Sequence, residues 1–281
     1  MSNLLKAIKS IVENPITEVK SYYEGQNRIN SVGEALENYV KDIFASSFGF
    51  EEKDRMKKLM EVFSYNGNES NPPDIMLRNG DAIEIKKIQS PASAIALNSS
   101  YPKAKFFADS PMITQACRDC EDWTVKDIIY IIGHIKNKGI KYLWFVYGDC
   151  FCADKMVYEK VKKTISAGMS NIEGVRFKET RELGKVERVD PLGVTDLRIR
   201  GLWHIKNPYK IFTYLNKVDI DTKFQMVCLM RIEKFNSFPD EDKKALQNLT
   251  QENYTFEKVE IKNPDNPIQL LDCILMTFKI S

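Results

Sequence analysis

No apolar run in this sequence approaches the roughly 18 residues that a membrane-spanning helix needs. The densest, IIYIIGHI, has the length of a strand. An excess of charge of one sign is also missing. There are 41 Lys and Arg against 39 Asp and Glu, a formal net charge of +2. Composition therefore does not announce a nucleic-acid binder, and any such surface must sort its basic groups onto one face. The N-terminal MSNLLKAIKSIVENP lacks the apolar run and cleavage site of a signal peptide. A cytoplasmic protein without a membrane partner is expected. Histidine is scarce: His134 sits in an apolar strand pattern and reads as a core residue, and His204 follows Trp203. Catalysis built on histidines is not expected. ALNSSYP lacks the G-x-S-x-G of a nucleophile elbow.

Cysteine is modest in number. Four of the six form two close pairs, Cys117/Cys120 and Cys150/Cys152. Without a secretory signal they do not read as a disulfide framework. The two pairs could in principle supply four zinc ligands. Neither sits in a Gly-rich knuckle, however, so buried thiols are the expectation.

Among the elements present, an amphipathic helix over 1–14 precedes a polar stretch. A second helix, SVGEALENYVKDIFASSF, has Ala35, Leu36, Tyr39, Val40, Ile43 and Phe44 as its apolar stripe and Ser31 as N-cap. A charged helix, EEKDRMKKLMEVF, follows. DIML, the tight turn Asn79-Gly80 and AIEIKKI then read as a hairpin. SPASAIALNSSYP is a short helix or loop. DIIYIIGHI and IKYLWFVYG form a second strand pair, 154–170 is helical, and strands alternate with loops over 171–215. DTKFQMVCLMRI is a strand, EDKKALQNLTQE a surface helix, and PIQLLDCILMTFKI either a strand or an apolar helix. No linker marks a second domain, so one domain over 1–281 is expected.

The hairpin carries a charged group that is costly unless something offsets it. Glu84 and Lys86 are two apart and project from one face of their strand, which Asp74 can reach from the neighbouring strand. Two converging carboxylates repel unless a cation lies between them. Mg²⁺ typically takes one or two protein carboxylates, with water and phosphate completing its shell. A lysine beside them can orient water or stabilise phosphate charge. The group suits metal-assisted phosphodiester hydrolysis. Its bland alternative, a turn aspartate beside a solvated strand face, is outweighed by the flanking helix and hairpin.

Pro73-Asp74, nine residues, then Glu84-Ile85-Lys86 resembles the PD-(D/E)xK nuclease superfamily. That superfamily implies an α/β, restriction-endonuclease-like core with a mixed central β-sheet flanked by helices. The helix NRINSVGEALENYV resembles the N-terminal helix of these nucleases, which can supply another carboxylate. Glu37 is the choice for it, with Glu34 as the rival. NGNESNPPDIMLRNGDAIEIKKIQS, ALNSSYPK, ACRDCEDW, KDIIYI and RVDPLGVTDLRIRGLWHIKNP further resemble the NgoPII-type type II restriction endonucleases, most clearly between 26 and 210. That resemblance implies Mg²⁺-dependent cleavage of double-stranded DNA at a short palindrome with a GG/CC core, GGCC being the suggested site. It also implies a homodimer and a companion methyltransferase in a restriction-modification system, with no direct contact between the two. Asp74 and Glu84 would hold Mg²⁺, and Lys86 would position the attacking water. In-line attack would leave a 5′-phosphate and a 3′-hydroxyl. The catalytic core would span about 28–150 and a DNA-recognition region about 171–215, with the role of 216–281 open and dimerisation as a guess.

Candidate DNA contacts are Asn98, Ser99, Ser100 and Lys103 after the active-site strand. Arg198 and Arg200 share one strand face and can pair bidentately with guanine, the plainer alternative being a pair of salt-bridged surface arginines. His204, near the arginines, completes the set, with Arg188, like Lys185 and Lys206, a DNA-backbone contact or plain surface. Two other readings remain: a repair or junction-resolving nuclease with the same core, and a DNA-binding module with no catalysis.

Overall fold

The computed structural model describes residues 1–24, 32–68, 70–91, 93–137, 139–215, 219 and 221–281, with nothing described of the Val32 side chain. Ser31, the expected N-cap, lies outside these residues. Helices α1 (Leu4–Glu13), α2 (Val19–Glu24), α3 (Val32–Ala45) and α4 (Glu52–Val62) come first. Strands β1 (Phe63–Asn68), β2 (Asn71–Leu77) and β3 (Ala82–Ile88) follow. A long excursion carries β4 (Ile95–Ala96), β5 (Lys105–Phe107) and α5 (Gln115–Asp119) before β6 (Val125–Lys136) and β7 (Gly139–Tyr147). Next come α6 (Gly148–Phe151), α7 (Lys155–Ser170), β8 (Arg176–Lys178), β9 (Gly184–Glu187), β10 (Leu197–Ile199), β11 (His204–Ile205) and α8 (Pro208–Ile211). β12 (Phe224–Arg231), α9 (Ile232–Asn236), α10 (Asp240–Gln247), β13 (Tyr254–Lys262) and β14 (Leu270–Ile280) close the chain.

The main sheet runs β1-β2-β3-β6-β7-β12-β14-β13, with β5 beside β6. β3 is parallel to β6, and β7 to β12; the other neighbours are antiparallel. The fold is therefore α/β with a mixed central sheet and flanking helices, as the hairpin and its surroundings imply. The ambiguous C-terminal segment is a strand: β14 pairs with β12 on one side and β13 on the other, and its buried run fits a central position. The strands between Phe224 and Ile280 thus extend the sheet that carries the hairpin.

α1 buries Leu4, Leu5, Ala7, Ile8, Ile11 and Val12, the stripe its spacing predicts. Its N-cap Asn3 accepts from Lys6 N–H and donates to Asp242 on α10. α3 is held from behind by Asp42, which is fully buried. It accepts from Tyr23 Oη (2.6 Å), Ser47 Oγ (2.5 Å) and Arg55 Nε (2.7 Å). Arg55 also donates to Asn38 Oδ1. One buried ion pair thereby fixes α2, α3 and α4 together, with its hydrogen-bonding capacity taken up locally.

SPASAIALNSSYP is largely loop, with β4 paired to β11. Cys150 lies on α6 and Cys152 at its C-cap. The thiols diverge: Cys117 packs on Met76 Sδ (3.5 Å) and Cys150 lies 3.9 Å from Cys273. All six are free. Among the described residues, no helix is long and apolar enough to cross a membrane.

Candidate active site

The alternation of β3 decides which side chains meet. Ile83 is fully buried and pairs across to Ile75 of β2, so Glu84 and, one period on, Lys86 take the other face with Asp74. Lys87 turns out to solvent. Asp74 Oδ2 accepts the backbone N–H of Ile85 at 2.5 Å, a side-chain bond that ties β2 to β3 beyond their ladder pairs. Lys86 Nζ stands 2.7 Å from Glu84 Oε1. Glu84 is 8% exposed. Its Oε2 is buried with no hydrogen-bond partner.

Backbone approach sets this geometry too. A Cβ on Gly67 of β1 would run into the carbonyl oxygens of Pro73 and Asp74, so only glycine lets β1 lie this close to Asp74. The Pro72–Pro73 peptide is cis.

The field in the site is strong. Burial pushes the Asp74 carboxyl up to about 7, and the neighbouring Glu84 adds to this; Lys86 and the Ile85 N–H act in the other direction. Burial acts to lower Lys86, but Glu84 and Asp74 outweigh it and hold the ammonium above its ordinary range. Lys86 is therefore a cation at neutral pH. Glu37 is exposed at the rim on α3, and its charge reaches both Asp74 and Lys86. One turn further along, Lys41 is lowered by burial, with Glu37 and Asp74 acting against that. Sequence reasoning missed Lys41; its i+4 spacing from Glu37 was the available signal.

Among the described residues, no group of three or more His, Cys, Asp or Glu converges as a metal cage. Asp74 and Glu84 form a two-carboxylate, hard-oxygen donor set with one orphaned oxygen. That set fits Mg²⁺, which keeps most of its shell for water and phosphate.

The expected DNA-facing residues divide. Asn98 is exposed at positive φ, and Ser99 is half-buried. Ser100 and Lys103 are 7% exposed, so these two are not the open loop contacts their polarity implied. Lys103 Nζ donates to Ser100 Oγ and to the carbonyl of Tyr101, and its backbone N–H donates to Tyr130 Oη. Burial brings its ammonium down to about 8, while Glu84 acts to raise it. Lys103 thus stands behind Glu84 rather than on the surface.

Arg198 and Arg200 do share a side, and each donates through Nε to Glu182, at 2.9 and 2.7 Å. His204 and Lys206 are exposed. Arg188 is exposed, with its backbone N–H on Asp196. Lys185 pairs with Glu187 and Asp196. A groove of about 520 Å³ joins Ser70 and Asn71, at the head of β2, to Arg198 and Arg200.

This arrangement of a β2–β3 carboxylate pair, an adjacent lysine and an arginine-lined groove coincides with a family match over residues 2–262, to the NgoPII restriction endonucleases. The chain belongs to the NgoPII restriction endonuclease family. It is 46% identical over 279 residues to the type II restriction enzyme NgoPII of Neisseria gonorrhoeae, covering 99% of this chain and 100% of that protein. No solved structure matches. By family membership this protein is a restriction endonuclease, and the hairpin is its candidate catalytic centre.

Proposed function

We propose that this protein is a Mg²⁺-dependent type II enzyme that hydrolyses double-stranded DNA at a short palindrome, with GGCC as the expected site. It would act as a homodimer and form one domain over 1–281. The observation that carries the proposal is the pairing of Asp74 and Glu84 on adjacent strands with Lys86 beside them, where one buried Glu84 oxygen lacks a partner.

Asp74 and Glu84 hold the metal ion. When bound, that ion supplies Lewis acidity at the scissile phosphate and eases deprotonation of water. Lys86, kept protonated by the two carboxylates, donates a hydrogen bond that orients the attacking water and faces the charge gathering on the phosphate. Its protonation fits it for positioning and charge stabilisation rather than for abstracting a proton. The water oxygen attacks phosphorus in line and gives up a proton to solvent, the bond from phosphorus to the 3′ oxygen breaks, and that oxygen takes a proton from solvent. A 5′-phosphate and a 3′-hydroxyl remain. Glu37 at the rim adds negative charge that favours a cation at the centre. Asn98, Ser99, Arg198 and Arg200 line the groove that would take DNA, and the exposed Arg188 and His204 would be further DNA contacts. A methyltransferase of matching specificity protects the host without contacting this chain.

Digestion of a sequenced plasmid with Mg²⁺, with EDTA and with Lys86→Ala protein tests this. Discrete bands with Mg²⁺ alone, lost in EDTA and reduced at least about a thousandfold in the variant, are expected, because positioning and charge stabilisation each carry two to three orders of magnitude. Uncut DNA carrying GGCC removes that site from the proposal. Preference for branched over linear duplex would favour the junction-resolving alternative, and retardation without cutting would favour the binding module.

A further inference from the structure

A buried carboxylate that the reaction above does not use lies in the wall of the groove. Glu182 is 5% exposed. Its Oε1 accepts from Ser99 Oγ (2.7 Å) and Arg200 Nε (2.7 Å), and its Oε2 from Arg198 Nε (2.9 Å). Burial acts to raise its carboxyl, but these hydrogen bonds and the two guanidinium charges hold it below the usual range. Both arginine side chains stay open to solvent, 63% and 62% exposed. Among the described residues their hydrogen bonds run through Nε, so the outer Nη pair of each is left for a ligand.

The surrounding backbone ties this trio to the catalytic strand. Ser99 lies in the segment that leaves β3 through β4. The backbone N–H of Leu97 donates to Trp203 O (2.8 Å), and that of Trp203 to Asn98 O (2.8 Å). These bonds stitch the segment to the chain just past Arg200. The groove then leads to Asn71, three residues before Asp74 on β2.

We propose that Glu182 is a positioning residue for base recognition, holding Arg198 and Arg200 as a preformed fork that reads guanine edges at a fixed reach from the scissile phosphate. This rests on the reading of the chain as a DNA-cleaving enzyme and goes beyond it by naming the group that enforces sequence preference. Two arginines one strand period apart repel, and each has many rotamers to lose on binding. A carboxylate shared between their Nε groups offsets the repulsion and fixes the rotamers before DNA arrives. The outer nitrogens match guanine O6 and N7. The trio carries a net charge of +1 rather than +2, which weakens sequence-blind attraction to phosphates. It therefore biases binding toward the base edges.

The test uses the full-length protein. Wild-type digestion of a sequenced plasmid locates the cut site. Short duplexes bearing that site, and each single-base-pair change of it, then give cleavage-rate ratios for wild type, Glu182→Gln, Arg198→Ala and Arg200→Ala. Glu182→Gln is expected to reduce the ratio of cognate to altered site about tenfold or more, the scale of one bidentate base contact. Its affinity for an unrelated duplex in EDTA should hold or rise, because an anion has been removed. A merely structural Glu182 would slow cutting of every duplex alike, and that outcome overturns the inference, as does an unchanged ratio. If Glu182→Gln melts too low to assay, the two exposed arginines decide: reduced ratios in both alanine variants uphold the fork, and unchanged ratios overturn it. A wild type that cuts no duplex overturns the endonuclease reading and this inference with it. A wild type that cuts, beside a Glu182→Gln of unaltered discrimination, overturns only the inference.

Discussion

Asp74 carries a pH signature of its own. Its carboxyl sits at about 7 in the metal-free protein, above the ordinary carboxylate value near 4. Ionising it in the fold is therefore disfavoured. Its contribution to stability is fully present below pH ~4 and is lost as pH rises through about 7. Asp74→Asn, which cannot ionise, should abolish cleavage yet melt higher than wild type in EDTA at pH 8, with the gap narrowing at pH 5 and closing only below pH ~4. Calorimetry across that range checks it; a variant less stable at every pH would contradict it. Activity runs the other way. The metal needs the ionised form, so cleavage at limiting Mg²⁺ should rise with pH through about 7, and saturating Mg²⁺ should move that limb to lower pH. A limb that ignores Mg²⁺ concentration would disconnect Asp74 from the metal.

At the scale of the element, the hairpin was the most legible part of the chain. Asn79-Gly80 fixes the turn, and the alternation of β3 fixes which residues share a face, so Glu84 and Lys86 could be paired from spacing alone. β1 escaped notice because it continues directly from α4, with no turn residue between Val62 and Phe63. β13 escaped because an edge strand with polar residues on both faces has no clean alternation. Lys103 and Ser100 misled because burial of a lysine is decided by partners remote in sequence, here Tyr130 and the α6 segment. A Cβ on Gly148 would strike the Lys103 carbonyl. The Asp42–Arg55 pair behind α3 was invisible for the same reason. Arg55→Ala leaves a fully buried carboxylate without its cation, which should cost about 3–5 kcal/mol, read by denaturant unfolding. Gly67→Ala displaces the backbone at Pro73 and Asp74. It should cut the turnover rate more than it lowers affinity for DNA in EDTA.

For the whole molecule, the sheet is one continuous object from the β2–β3 hairpin to the last strand, and order along the chain does not follow order in the sheet. β12 lies between β7 and β14, so strands of the C-terminal region, whose role the sequence left open with dimerisation as a guess, complete the layer on which the site rests. Only the long-range pairing shows this; no local pattern could. A palindromic target implies a two-fold assembly. Sedimentation should therefore give twice the chain mass, and a monomer at working concentrations would count against the palindrome.

The far end of the hairpin is held by a lysine that comes late. Lys234 Nζ lies 2.7 Å from both Asp81, at the start of β3, and Asp127 on β6, and Tyr147 donates to the same Asp81. Asp81 is buried and raised by that burial, with Lys234 the chief influence against it. On the ribosome, Asp74, Glu84 and Lys86 emerge early, while the cation that neutralises the base of their hairpin emerges some 150 residues later, as synthesis proceeds from the N-terminus. A chain still being translated carries Asp74, Glu84 and Lys86 without the tie at the turn of their hairpin. The hairpin is thus finished late, and a chain that stops before residue 234 has both of its strands without the ion pair that holds Asp81.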